Sequence, residues 1–152
     1  MEQEAYPKKK SNIVLEPMDQ GAITVFWSEI EACVRASIDD DDASVARALM
    51  AVRSREMIPL AIWSGDKVAA ILISRQMEDG YSGGKAMLIY GLHGDGLSME
   101  GWLEAAKQFE NYCRFARCRK ILAYVKDDKI AKLATGLGWD TQTICWKELT
   151  HG

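Results

Sequence analysis

The chain is poor in the residues that mark many specialised functions. Its 152 residues include three prolines, two histidines and four cysteines. With only His93 and His151 to join the cysteines, no combination has the ligand spacing of a zinc site, and no metal is expected. Cys33, Cys113, Cys118 and Cys145 form no C-x-x-C pair and fall within regular apolar patterns. They read as buried free thiols in a reducing compartment, not as a disulfide framework. No window is long and apolar enough to span a bilayer, and Glu2 and Glu4 stand where a signal peptide carries positive charge. A soluble, unprocessed cytoplasmic protein is the expectation. The formal charge of −3 and pI near 5.4 argue against a general nucleic-acid binder, which shows a basic face. The single basic run, Lys8-Lys9-Lys10, reads as a solubilising tail. Asp39-Asp40-Asp41-Asp42 lacks the alternating ligands and turn glycine of a calcium loop and reads as a solvated turn that caps a helix.

What remains is the composition of one globular domain, with 48% hydrophobic residues in a chain long enough for a single core. Residues 1–11 are polar and aperiodic and form an arm; residues 12–152 form the domain. Ile13-Val14-Leu15 is a short strand ended by Pro17. Ala22, Val25, Phe26, Trp27, Ile30, Cys33 and Val34 recur at helical spacing and predict one helix over 18–37, with Asp19 as cap. A second helix runs from the aspartate turn through Val45, Leu49 and Val52 as far as Met57. Residues 59–63 and 67–74 flank Ser64-Gly65-Asp66 and predict an antiparallel hairpin. Residues 78–84 are a glycine-containing connection in which Tyr81 is an exposed loop residue or a lid aromatic.

The stretch 85–139 carries most information. Met87-Leu88-Ile89-Tyr90 reads as a strand, Gly91-Leu92-His93-Gly94-Asp95-Gly96 as a glycine loop, and 98–116 as a long helix capped by Ser98. The helix carries an apolar stripe of Met99, Trp102, Leu103, Ala106, Phe109, Cys113 and Ala116. Ile121-Leu122-Ala123-Tyr124-Val125 is a central strand reached by a helical crossover. A short helix follows, capped by Asp127 or Asp128 and ended by Gly136 and Gly138, and 143–149 returns as a last strand. A strand ending in glycines before a helix leaves free N–H groups and a helix N-terminus facing one small volume, which suits a pyrophosphate. The tryptophans Trp63, Trp139 and Trp146 fall near element ends, where aromatic side chains serve either the core or an interface.

This order resembles the GNAT superfamily of N-acetyltransferases from about residue 12 onward. Two patterns carry the resemblance. The family places Arg or Gln, then x-x-Gly-x-Gly/Ala, between a strand and a helix, matched here by residues 91–96. It also favours Asn-x-x-Ala opening the next helix and Gly-Phe closing it, matched by Asp128-Lys129-Ile130-Ala131 and Gly138-Trp139. Small phage-encoded GNAT-like proteins are similar in an early Trp in the long helix and an Ala-Tyr-Val strand.

The resemblance implies an α/β (α+β) fold with a mixed sheet of about six to seven strands and helices on both faces. It implies acetyl-CoA in a cleft between splayed strands. Ile89, Tyr90 and Gly91 would pair with the pantetheine arm, N–H groups from Leu92, His93, Gly94, Asp95, Gly96 and Leu97 would hold the pyrophosphate, and Asp128 opens the following helix. Transfer to an amine needs a base and an acid. His93 is the candidate base and Tyr124 the candidate acid, because Ala134 replaces the family's usual tyrosine. Gly91 in place of Arg or Gln, and Asp95 within the phosphate loop, depart from the family pattern. Two readings therefore stand: an N-acetyltransferase of unknown amine acceptor, or a catalytically silent protein-interaction component of the same fold, for example of a phage virion or its assembly.

Overall fold

The computed structural model describes residues 12–37, 41–78, 83–124, 132, 134–140, 145, 147, 149 and 150. Among these, five strands form one sheet in the order β1 (Ile13–Pro17), β2 (Ile58–Ser64), β3 (Lys67–Glu78), β4 (Lys85–Gly94), β5 (Cys118–Ala123). Neighbours pair antiparallel except β4 and β5, which are parallel and joined by the long helix α4 (Met99–Phe115). Between β1 and β2 lie α1 (Gln20–Val25), α2 (Trp27–Ser37) and α3 (Asp42–Arg53). The expected α/β class holds, with five strands described where six to seven were expected. Most of the predicted strand over 143–149 and much of the helix before it lie outside the described residues, as do the arm, Tyr81 and Asp128.

Alternation along the strands builds two cores. Ala61, Ile71 and Ile73 turn to one face and pack with Ile23, Ile30, Cys33, Val34, Val45, Ala48 and Val52 of α1, α2 and α3. Leu60, Ile62, Ala70, Leu72 and Met87 turn to the other and meet Ala105, Phe109 and Cys113 of α4. Helices therefore cover both faces, as expected.

Several boundaries differ from expectation. The predicted helix over 18–37 is two helices that change direction at Phe26, so Val25 points outward and is 73% exposed. α3 stops at Arg53, because Ser54 caps it and Arg55 takes a left-handed φ of 68°; Met57 is buried in the coil beyond. The buried stripe of α4 is Gly101, Ala105, Phe109 and Cys113, a strict four-residue spacing, while Met99, Leu103 and Ala106 face outward. Small residues at its start let α4 lie close to the sheet, since a Cβ on Gly101 would stand 3.4 Å from Ile13 Cδ1. The expected caps are present: Asp19 accepts from Ala22 N–H at 2.8 Å, Asp41 from Ala43 N–H at 3.1 Å and Ser98 from Gly101 N–H at 3.1 Å.

The outer edge of β1 is satisfied by one side chain. Gln108 of α4 accepts the Leu15 N–H at 2.7 Å and donates to the Ile13 carbonyl at 2.8 Å, as an adjacent strand would. Glu104 receives the other proton of the same amide nitrogen at 2.9 Å. Replacing Gln108 with Leu removes both strand contacts and leaves a half-buried donor without its partner. The expected loss is about 1–3 kcal/mol of unfolding free energy, measured by urea denaturation.

Candidate active site

The feature that organises the site is the unequal pairing of β4. On one side it follows β3 over its full length, from Glu78↔Lys85 to Ala70↔Gly94. On the other side it pairs with β5 only from Lys85↔Cys118 to Ile89↔Ala123. Past Ile89, the edge of β4 turned away from β3 has no ladder partner among the described residues. Backbone donors and acceptors at alternate positions of 90–94 on that edge are not taken up by any described residue of β5 or by Tyr124. The register places a bulge where this begins: Ser74 pairs with Ile89 and Ile73 with Gly91, so Tyr90 is the extra residue. Tyr90 and Tyr124 are the first residues past the last shared pair on their respective strands.

Residues 91–94, expected as a loop, are strand. They find partners in Ile73, Leu72, Ile71 and Ala70 of β3, which leaves only 95–98 to connect β4 to α4. The glycines answer to packing. A Cβ on Gly91 would collide with Ser37 Oγ and stand 3.5 Å from Cys33 Sγ, because the last turn of α2 rests on β4 there. No long side chain fits, which accounts for the missing Arg or Gln. Gly94 has a φ of 154°, and a Cβ on it would collide with the Ala69 carbonyl oxygen; one on Gly96 would lie 3.2 Å from Ala69 Cβ. Ala69 is itself the extra residue of a bulge between β2 and β3, where Ile62 pairs with Ala70 and Trp63 with Val68. The bulge presses β3 toward the end of β4, and only glycine leaves room.

The remaining candidates are distributed around the splay. His93 lies on β4 opposite Ile71 and is exposed; Tyr124 follows β5 and is 66% exposed. Asp95, Gly96 and Leu97 lie in the short connection, with Asp95 exposed. Ala134 is helical, and its carbonyl accepts from Leu137 and Trp139 N–H at 2.9 and 3.0 Å; Gly136 is the last helical residue, and the chain leaves the helix through Gly138, at φ 95°. Tyr90, expected only as a backbone contact, has a second position of interest. Its side is turned to the α2–α3 face, where it joins Ser44, Arg47, Ser54, Glu56 and Arg75 around an open groove of about 570 Å³. Ala48, Ala51 and Met57 supply its apolar floor. Reading the sequence missed this groove because its residues come from three segments, 44–57, Arg75 and Tyr90.

The tryptophans are partly buried where described. Trp63 meets Phe26 edge-on at 5.9 Å, and Arg53 lies over the Trp27 ring at 4.2 Å. Cys33, Cys113, Cys118 and Cys145 all carry free thiols, but only Cys33 and Cys113 are buried as expected; Cys118 is half-buried and Cys145 exposed. Burial pushes the Cys33 thiol up to about 11 and the Cys113 thiol up to about 12, so neither supplies a nucleophile at neutral pH. Among the described residues, no three His, Cys, Asp or Glu side chains converge as a metal site, and no helix is long and apolar enough to cross a membrane.

Solved structures of the same shape include several that are distant in sequence. An aminoglycoside acetyltransferase from an uncultured soil metagenomic sample, solved with sisomicin, superposes with a TM-score of 0.67 at 14% identity, over 92% of this chain and 97% of its own. AAC(6')-Iy, solved with a CoA-linked bisubstrate analogue, gives 0.65 at 11% identity, over 92% and 100%. A GNAT family acetyltransferase from Staphylococcus aureus gives 0.62 at 11%, over 93% and 100%. The fold is that of the GNAT acetyltransferases. No protein-family model matches the chain, and no curated protein matches it in sequence. None of these structural neighbours supports a phage origin.

Two outcomes test this geometry. Gly94→Ala is expected to cost about 2–4 kcal/mol in urea denaturation, since the methyl meets backbone at a left-handed position. For the thiols, a folded pKa above the unfolded value near 9.0 stabilises the protein fully below pH 9, and that contribution is lost as pH rises toward 11. Urea midpoints should therefore fall between pH 9 and 11 in the wild-type protein and fall less in Cys33→Ala.

Proposed function

We propose that the protein binds an acyl-CoA, acetyl-CoA by preference, along the free edge of β4 and transfers the acyl group to an amine. The observation that carries this reading is the termination of β4–β5 pairing at Ile89↔Ala123 beside the bulge at Tyr90. An extended chain bearing amide groups, such as pantetheine, completes an open ladder edge as an added strand does. Ile89, Tyr90, Gly91, Leu92 and His93 would hold that arm. Gly94, Asp95, Gly96, Leu97 and the N-terminus of the 17-residue α4 would face the pyrophosphate. Asp128, by its motif, would border the same cleft.

The bound thioester supplies an activated acyl carbon. The chain's own tasks are to hold a neutral amine against that carbon, remove the amine's proton and return a proton to the departing sulfur. His93 is assigned the first proton. Tyr124, beside the last paired residue of β5, is assigned the second. His93→Gln and Tyr124→Phe should then lower turnover while leaving CoA affinity within about twofold.

The silent reading is favoured by one observation: the phosphate end carries Asp95 and, in the first turn of α4, Glu100. Both oppose a pyrophosphate, though exposure and salt weaken the repulsion. On that reading the fold serves as a soluble interaction component, of a virion or otherwise, and any amine chemistry is absent. Calorimetric titration with acetyl-CoA, with ADP as control, separates the two. Saturable micromolar binding that tightens about two- to fivefold in Asp95→Asn supports the enzyme. No heat up to millimolar acetyl-CoA removes it.

A further inference from the structure

The groove beside Tyr90 has a charge character opposite to that of the whole protein. The chain is formally −3, yet the groove walls bring two guanidiniums, Arg47 and Arg75, against a single carboxylate, Glu56. The two arginines differ in what already engages them. Arg47 donates to Ser44 Oγ at 3.0 Å. Asp41 lies near enough for Arg47 to help hold its carboxyl below the usual range, but that carboxylate already accepts from Ser44 Oγ at 2.6 Å and from Ala43 N–H. Arg75, on the part of β3 that extends past the helices, has no ion-pair or hydrogen-bond partner among the described residues. A guanidinium that no described residue engages, beside a second one fixed by a hydroxyl, is a ready receptor for a carboxylate or phosphate.

Position makes the charge meaningful. Tyr90 lines the groove and is the first residue of β4 past its last described pair with β5, Ile89↔Ala123. The groove lies on the α2–α3 face of the sheet, and α4 covers the other face. A molecule seated in it presents one end to the splay. We infer that this groove is an acceptor site for a small amine carrying an anionic group, with Arg47 and Arg75 binding the carboxylate or phosphate. Polycationic amines such as aminoglycosides are its poorest ligands. This inference rests on the acyltransferase reading for the word acceptor, whereas the anion site itself does not.

The test measures ligand binding without acetyl-CoA, by calorimetry and by chemical-shift changes in the 15N-labelled full chain. The probes are glutamate, O-phosphoserine, acetate, inorganic phosphate, spermidine and sisomicin. Saturable binding of glutamate or phosphoserine, weakened at least tenfold in Arg75→Gln and in Arg47→Gln but unchanged in Arg114→Gln on α4, is the expected result. Acetate and phosphate compared with each other identify which anion the pair prefers. Should either variant fail to fold, the wild-type protein still decides, because binding through exposed guanidiniums must weaken severalfold between low and high salt. Binding of spermidine or sisomicin with none of the anionic probes overturns the proposal, as does anionic binding indifferent to salt and to both substitutions. Anionic binding in a protein that takes up no acetyl-CoA keeps the anion site and removes the enzyme. Acetylation of sisomicin in preference to glutamate keeps the enzyme and removes the acceptor assignment.

Discussion

Main-chain pairing between β3 and β4 is the constraint on which the remaining architecture depends. β4 follows β3 as far as Gly94, whereas among the described residues its pairing with β5 runs only to Ile89. Two bulges tune the relation. The extra residue at Tyr90 reorients β4 where the splay opens, and the extra residue at Ala69 brings β3 against the end of β4. The cost of that close approach is met by Gly94 and Gly96, and the room under α2 by Gly91. The same ladder therefore creates the cleft and dictates where side chains are forbidden.

The helices distribute function between the two faces. α4 packs through Gly101, Ala105, Phe109 and Cys113 and presents its N-terminus to the end of the cleft. α3 packs through Val45, Ala48, Ala51 and Val52, and the neighbouring turn of its surface, with Ser44, Arg47 and Ser54, walls the groove. Tyr90 lines that groove from the α2–α3 face and is also the first residue of β4 past its last described pair with β5. The buried thiols Cys33 and Cys113 sit one in each core, on opposite faces of the sheet.

Much of the fold was legible because it is local. The Gly65 turn, the caps at Asp19, Asp41 and Ser98, and the parallel step through α4 each follow from patterns within a few residues. What escaped depends on residues far apart in the chain. Gly91-Leu92-His93-Gly94 reads as a loop until β3 offers it partners, and no periodicity reveals that Ser37 sits over Gly91. The break at Phe26 was hidden because both halves keep helical spacing. In α4 the expected Trp102, Phe109, Cys113 and Ala116 do pack on the sheet, but Gly101 and Ala105 were missed, because their small size signals close packing and not hydrophobicity, and Met99 and Leu103 were counted although they face outward. The splay was implied by family resemblance alone, and the groove with its arginines was invisible because α3, β3 and β4 meet only in three dimensions.

The amide of Gln108 has a consequence for how the molecule behaves in company. An edge strand with open donors is a template on which other chains can add, the first step toward β-aggregates. β1 is short, ends in Pro17, which has no N–H, and has its Leu15 N–H and Ile13 carbonyl already taken by a side chain of its own helix. A foreign strand docking there must first evict Gln108. That rim of the sheet is closed to self-recruitment.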